Sequence, residues 1–213
     1  MNLWMMGKLK ERKRKMAEIT AALVKELRDK SGAGMMDCKK ALTETDGNID
    51  KAIEILRKKG IAAASKRSGR VANEGRIEAY IHPGSKLGVI VEVNCETDFV
   101  AKTDDFMTLC RDIAMHVAAS APGYIKREEV EQEIIDREID IYKEQARAQK
   151  KPENILDKIA QGKLEKYYSE ICLLEQPFVK DPDKNIQALL TEAIAKLGEN
   201  ISIRRFSRFK IGE

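Results

Sequence analysis

The chain has 213 residues, of which 35% are charged and only 5% are aromatic. This length fits one or two domains, and the composition is typical of a helix-rich protein with charged helix surfaces. No apolar run approaches the ~20 residues needed to cross a bilayer, and the N-terminus lacks a secretory signal, so we expect a cytoplasmic protein. The four cysteines are not spaced as CxxC, which argues against a zinc site and favours free, buried thiols.

A basic leader opens the chain. Residues 1–15 contain six basic side chains and one glutamate, a net charge of +5, so residues 16–213 carry −1 of the total of +4. A nucleic-acid-binding protein needs a basic face that neutralises phosphates, and the body of this chain has no such excess. We therefore expect no direct nucleic-acid contact and a disordered leader over 1–16, and Met16 has the features of an N-terminus of its own.

Residues 17–60 are predicted to form a module of three short helices. Thr20 is suited to cap the first helix, and Gly32 and Gly34 supply the backbone freedom of the turn that ends it. The third helix is expected to end at Gly60. Three short helices with a glycine-rich first loop resemble the arrangement of ubiquitin-associated domains. Apolar stripes at helical spacing mark the second and third helices, at Met36, Cys38, Ala41 and Leu42 and at Ile49, Ala52, Ile53 and Leu56.

A short helix and a linker are predicted over 61–75, followed by an α+β core over 76–213. Two strands that alternate in polarity flank a turn at 82–85, and period-2 alternation indicates one buried face. A last strand slips in its alternation at Arg204 and Arg205, which predicts a bulge. The apolar positions are Ile77, Ala79 and Ile81, then Leu87, Val89, Val91, Val93 and Cys95, then Ile201, Ile203, Phe206, Phe209 and Ile211.

Helices fill the rest of the core. Helical spacing predicts one helix over 104–120 and another over 184–197. Two amphipathic helices, 127–148 and 153–171, are separated at Lys151-Pro152, and a short connection favours an antiparallel pair. The predicted fold class is therefore α+β: a three-helix module, then a small antiparallel sheet with helices and a projecting helical hairpin at about 127–171.

The sequence shows no catalytic constellation. Its two histidines are His82 and His116, and it contains no GxxxxGK[ST], HExxH or GxSxG motif. The carboxylates lie on charged helices, where a solvated face is the ordinary arrangement. We therefore predict no catalytic residues, no metal site, no cofactor and no enzyme activity.

Two segments are unusual for their positions. Met35 and Met36 are adjacent at a helix start, where neighbours lie about 100° apart, so at least one is expected at the surface as an adaptable contact. Asp98 and Phe99 stand where a strand meets a helix, and burial of the acid without a partner is costly. His116 falls off the apolar stripe of its helix. The alternative is ordinary packing of the methionines and Phe99 and a solvated histidine.

Five segments together resemble the elongation factor Ts family. They are GAGMMDCKKAL at 32–42, VNCETDFVAK at 93–102, MHVAAS at 115–120, QPFV at 176–179, and GENI at 198–201 followed by Arg204-Arg205-Phe206. The resemblance covers about 17–213. The chain is most similar in plan to the compact bacterial form of the family. The resemblance implies a guanine-nucleotide exchange factor that binds elongation factor Tu with GDP, dislodges its magnesium and promotes GDP release for GTP binding.

The resemblance also implies residue roles. Thr97, Asp98, Phe99 and Val100 match the segment that disturbs the magnesium of the partner. Phe99 and His116 match residues that wedge into its helical surface, and contacts of the N-terminal module are matched by Arg28, Met35, Met36 and Lys39.

The alternative functions are a generic binding module for ubiquitin or nascent chains, and RNA binding through the leader. A homodimer is expected because the second sheet face carries Ile90 and Tyr80.

Overall fold

The computed structural model describes residues 19–213, so the predicted leader at 1–16 lies outside the described residues. The chain divides into two compact units. One comprises the residues up to Gly69 together with Thr191–Gly198, and the other comprises Arg70–Leu190 together with Glu199–Glu213. The domain limits given above, 17–60, 61–75 and 76–213, stay predictions.

Three helices, α1 (Ala21–Ser31), α2 (Met35–Glu44) and α3 (Ile49–Arg67), form the N-terminal part of the first unit. Thr20 caps α1 as predicted, because its Oγ1 accepts a hydrogen bond from the Leu23 N–H at 3.2 Å. Gly32 ends α1 in the left-handed conformation at φ 65°, which favours glycine. The helices enclose a common core of Val24, Leu27, Cys38, Ala41, Leu42, Ala52 and Leu56.

The third helix is longer than the sequence predicted. It continues through Gly60 to Arg67, so residues 61–67 are helical and the predicted end at Gly60 is wrong. A glycine inside a helix costs only about 1 kcal/mol relative to alanine, and the three alanines at 62–64 are the best helix formers. A single glycine without a following proline is therefore a weak stop signal here.

The second unit contains a three-stranded antiparallel sheet and a small two-stranded sheet that the sequence did not predict. In chain order the strands are β1 (Glu74–Ile81), β2 (Leu87–Cys95), β3 (Pro177–Phe178), β4 (Asp181–Asn185) and β5 (Ser202–Lys210). β2 lies between β1 and β5, and β3 pairs with β4. Glu92 pairs with Arg205 while Val93 pairs with Ile203, which confirms the predicted bulge at Arg204.

The apolar side of β1 faces outward, opposite to what its alternation suggested. Ile77 and Ile81 are exposed, whereas Glu78 is only 8% exposed. The register explains this, because Glu78 lies opposite Val91 and therefore on the face that β2 buries. The Glu78 carboxylate is satisfied by Arg76, whose Nε donates at 2.7 Å. Tyr80, expected on the outer face, shares the inner face as well.

Helices complete the second unit. A one-turn helix, α4 (Asp98–Ala101), leads into α5 (Asp104–Ser120), which packs against β1 and β2. The antiparallel hairpin consists of α6 (Gln132–Ala148) and α7 (Leu156–Ile171), separated at Lys151-Pro152 as predicted. α8 (Ile186–Leu197) follows β4, and its residues from Thr191 onward belong to the first unit. Buried residues at the base of the hairpin are Val130, Leu164, Tyr168 and Cys172.

All four cysteines are free and buried, as expected, and burial raises the pKa of the Cys110 thiol to about 12. Among the helices within residues 19–213, none combines the length and the apolar character needed to cross a bilayer.

Candidate partner-binding site

The most exposed large apolar side chain of the second unit stands just beyond the central strand. β2 ends at Cys95, and Thr97 then caps the single helical turn of α4. We name the four residues Thr97, Asp98, Phe99 and Val100 the 97–100 turn. Phe99 is 80% exposed although it follows a buried strand. The structure therefore brings these four predicted residues together and leaves the phenyl ring in solvent.

Asp98 carries a negative charge beside this ring. Lys102 lies one turn further along and donates from Nζ to Asp98 Oδ2 at 2.6 Å. This hydrogen bond lowers the pKa of the Asp98 carboxyl and raises that of the Lys102 ammonium. The Lys102 side chain is exposed and the Asp98 side chain is half-exposed, so the pair is weak and Asp98 can exchange its partner for another cation or donor.

A carboxylate that the sequence analysis did not assign holds the base of the turn. Glu199 Oε2 accepts hydrogen bonds from the backbone N–H groups of Glu96 and Thr97, each at 3.0 Å. The Thr97 hydroxyl donates to Glu199 Oε1 at 2.6 Å. The only signal in the sequence was the GENI segment at 198–201, which contains Glu199 but does not show what it contacts.

The predicted contacts of the N-terminal module are all at the surface. Met35 and Met36 begin α2 and are 58% and 65% exposed, so the expectation that at least one is exposed is confirmed for both. Met36 therefore does not belong to the core stripe in which the sequence placed it. Arg28 on α1 and Lys39 on α2 are exposed as well. The four predicted contacts are thus two thioethers and two cations at the surface of the first unit.

His116 is buried, so the alternative of a solvated histidine is wrong. Its Nε2 lies 3.0 Å from Gln176 Oε1, and its Nδ1 accepts from the Val179 N–H at 3.4 Å. The Gln176 amide nitrogen donates to the carbonyl oxygens of Ser120 and Glu170, which leaves its oxygen for the histidine. This pattern assigns the neutral imidazole with its proton on Nε2, and burial lowers the pKa of His116.

The role of a direct wedge for His116 is not supported by this geometry, because the ring is enclosed and packs against Phe178 with centroids 6.1 Å apart. The surface above it is formed by Val179, which is 41% exposed. On the surface of α5, His116 lies about a quarter turn away from the apolar stripe. The 176–179 segment covers this flank of the helix. Periodicity within one helix cannot show a covering segment 60 residues away.

Sequence comparisons identify the family. The pattern of the family described as Elongation factor TS matches residues 11–213. The chain is 60% identical to elongation factor Ts of Heliobacterium modesticaldum over 195 residues, which cover 92% of this chain and 91% of that protein. It is 62% identical to elongation factor Ts of Anaeromyxobacter dehalogenans over 93% of this chain and 90% of that protein. The chain belongs to the elongation factor Ts family.

Membership of the elongation factor Ts family makes the chain a translation elongation factor. The segments that carry the likeness meet in pairs in the second unit. Segment 93–102 contacts 198–201 through Glu199 and Thr97, and segment 115–120 contacts 176–179 through His116 and Gln176. Segments that are remote in the sequence thus build two local structures, the base of the 97–100 turn and the support of Val179.

Proposed function

We propose that this chain is a guanine-nucleotide exchange factor for elongation factor Tu. In this proposal it binds elongation factor Tu with GDP, dislodges the magnesium ion of that partner and promotes GDP release, so that GTP can bind. The observation that carries the proposal is Phe99, a large apolar side chain that is 80% exposed on a turn fixed at the end of the central strand. An apolar side chain held in water by a rigid support is suited to insertion into a partner.

The mechanism follows from how a GTPase holds its nucleotide. A phosphate loop and a magnesium ion that bridges the phosphates supply much of the affinity, so a shift of nearby helices weakens nucleotide binding. Phe99 would insert between such helices, and Asp98 would bring a negative charge toward the magnesium site. Thr97 and Val100 would hold the two in place. The coupling is reciprocal, because nucleotide and exchange factor lower each other's affinity by the same factor.

The 97–100 turn needs an anchor elsewhere. Moving a two-state equilibrium from 1:99 to 99:1 takes about 5.5 kcal/mol of differential binding. Burial of one phenylalanine contributes about 1.5–3 kcal/mol, so Phe99 alone is insufficient. Arg28, Met35, Met36 and Lys39 are exposed on the first unit and are proposed to supply docking contacts on the same partner. Methionine suits this role because its flexible thioether adapts to irregular surfaces.

His116 is proposed to support binding from beneath the surface. Because it accepts the Val179 N–H and packs on Phe178, it fixes the exposed 176–179 segment rather than reaching a partner itself. Its contribution to partner binding would then depend on Val179, which is partly exposed.

No bond is made or broken in this proposal, so the chain acts as an exchange factor and not as an enzyme, and it requires no cofactor or metal of its own. A cytoplasmic location and the absence of direct nucleic-acid contact belong to the same proposal. Binding of RNA through the basic leader would instead produce a steep fall in affinity with salt and a loss of function when residues 1–15 are deleted.

A homodimer is proposed as the state of the free chain. The outer face of the three-stranded sheet exposes several large apolar side chains, and a second copy of this face would cover them. These side chains lie on one side of the sheet. For example, Ile81 on β1 and Phe209 on β5 both lie opposite Gly88 on β2. The residues are Ile77, Ile81, Ile90 and Phe209, with Ile211 just beyond β5.

The direct test uses elongation factor Tu loaded with fluorescent GDP. Mixing it with the chain and excess unlabelled nucleotide should produce release much faster than the spontaneous rate, and the rate should saturate with concentration of the chain. The same measurement with a GTPase of another family controls for nonspecific release. Binding of elongation factor Tu without faster release would leave only the generic binding module.

A further inference from the structure

We propose that Glu199 is a positioning residue, which holds the 97–100 turn in the geometry that nucleotide exchange requires. This inference rests on the proposed function and adds to it a residue outside the turn and outside the docking contacts. Glu199 lies 102 residues after Thr97 in the chain, yet it accepts all three hydrogen bonds described above.

The turn has little stability of its own. α4 is only four residues long, and a single helical turn is unfavourable in isolation because nucleation fixes several residues for one hydrogen bond. The cap bond from the Val100 N–H to Thr97 Oγ1 is long, at 3.4 Å. By donating its proton to Glu199, the Thr97 hydroxyl is oriented with its lone pairs available to Val100.

The contact between the two segments is reciprocal. Glu199 accepts from the backbone of Glu96 and Thr97, and the Glu96 carboxylate in turn accepts from the Asn200 N–H at 2.6 Å. The Asn200 side chain, which is buried, donates from Nδ2 to the Arg70 carbonyl oxygen at 2.8 Å. Each of the two acidic side chains thus binds the backbone of the other's segment. The Arg70 guanidinium also pairs with Glu96, with 3.5 Å between a guanidinium nitrogen and Glu96 Oε1.

The sheet fixes the position of Glu199 itself. β5 pairs antiparallel with β2, and Ser202 lies opposite Asn94. The segment that enters β5 and the segment that leaves β2 therefore meet at the same end of the sheet. Glu199 lies just before β5, which shares hydrogen bonds with β2, and the 97–100 turn lies just after β2. Glu199 therefore couples the turn that carries Phe99 to the sheet.

This precision matters because a binding or catalytic group must be held within about 0.5 Å of its productive position. A misplacement of about 1 Å can reduce a rate by about a hundredfold. Removing Glu199 leaves Phe99 present and exposed but releases the backbone on which it stands. The side chain that would act on the partner is then unchanged, and only its direction is lost.

Two substitutions separate position from presence. Glu199→Ala removes all three hydrogen bonds. Glu199→Gln keeps the shape, because its oxygen can accept both backbone N–H groups and its amide can donate to the Thr97 hydroxyl. Glu133→Ala is the matched control, since Glu133 is an exposed acid of the same unit whose side chain, within residues 19–213, pairs with Arg137 one turn away, at 3.5 Å.

The experiment measures release of fluorescent GDP from elongation factor Tu as a function of chain concentration. Glu199→Ala should lower the maximal release rate by about ten- to a hundredfold, with a half-saturating concentration within about threefold of the unaltered chain. Glu199→Gln and Glu133→Ala should stay close to the unaltered chain. In a cycle with Phe99→Ala, the double variant should be no slower than the slower single variant, because both changes act through one side chain.

Hydrogen exchange of the Glu96 and Thr97 amides provides a readout independent of activity. Both should lose protection in Glu199→Ala and keep it in Glu199→Gln. If Glu199→Ala does not fold, Thr97→Val, which removes only the hydroxyl bond, should lower the maximal rate in its place. Loss of amide protection with an unaltered release rate overturns this proposal alone. Failure of the unaltered chain to release GDP overturns the proposed function and this proposal together.

Discussion

Truncation of Phe99 to alanine tests the proposed function most directly. The side chain is 80% exposed, so Phe99→Ala should change the free energy of unfolding by no more than about 0.5 kcal/mol, as for other surface positions. Phe106, only seven residues further along the chain, is fully buried in α5. Its replacement by alanine is expected to cost about 3–5 kcal/mol. The two phenylalanines thus provide opposite expectations within one unit.

The size of the functional effect follows from the exposed fraction. Complete burial of a phenylalanine contributes about 1.5–3 kcal/mol. Because one-fifth of Phe99 is already covered, a partner that encloses it can gain about 1.2–2.4 kcal/mol, and truncation forfeits that amount. At about 1.36 kcal/mol per factor of ten, GDP release at low concentrations of the chain should slow by about 8- to 60-fold.

The assay measures thermal unfolding and stimulated GDP release on the same samples. Ile141→Ala serves as the control, because Ile141 is an exposed apolar residue of the same unit on the helical hairpin and has no assigned role. It should leave the release rate unaltered. A Phe99→Ala protein that unfolds at much lower temperature, while its folded fraction releases GDP normally, would show that Phe99 is a structural residue and would refute the reasoning.

Three other predictions concern the remaining surfaces. Combined replacement of Met35 and Met36 by serine should raise the half-saturating concentration for GDP release by about tenfold or more without lowering thermal stability, because both side chains are exposed; unaltered saturation would remove their docking role. Because burial holds the pKa of His116 below its ordinary value, its contribution to stability should be complete above about pH 6.5 and be lost as pH falls from there through the lower native pKa; denaturant titrations should show this step, and His116→Asn should abolish it. Phe209→Lys should convert a dimer into a monomer by light scattering, since it places a charge on the outer sheet face, and an unaltered chain that is monomeric at tens of micromolar would contradict the dimer.

Features that depend on neighbours in the sequence could be read from it. Thr20 was identified as a helix cap because a hydroxyl followed by an apolar stripe is a local pattern, and its bond spans three residues. The bulge at Arg204 was visible as a slip in alternation, and the division of the hairpin at Lys151-Pro152 as a break in helical spacing. The segments of the elongation factor Ts family were equally readable, because they are contiguous runs of residues.

The tertiary structure decided everything that depends on contacts between remote segments. The outward face of β1 was set by its register against β2, since alternation shows that a strand has two faces but not which one is covered. His116 is buried because 176–179 covers a helix flank that periodicity left open. Glu199 reaches the 97–100 turn because antiparallel pairing returns β5 to the end of β2. The sequence by itself thus determined the order of the main helices, the Thr20 cap and the family, whereas the choice of buried face and the support of the exposed Phe99 required the chain to fold back on itself.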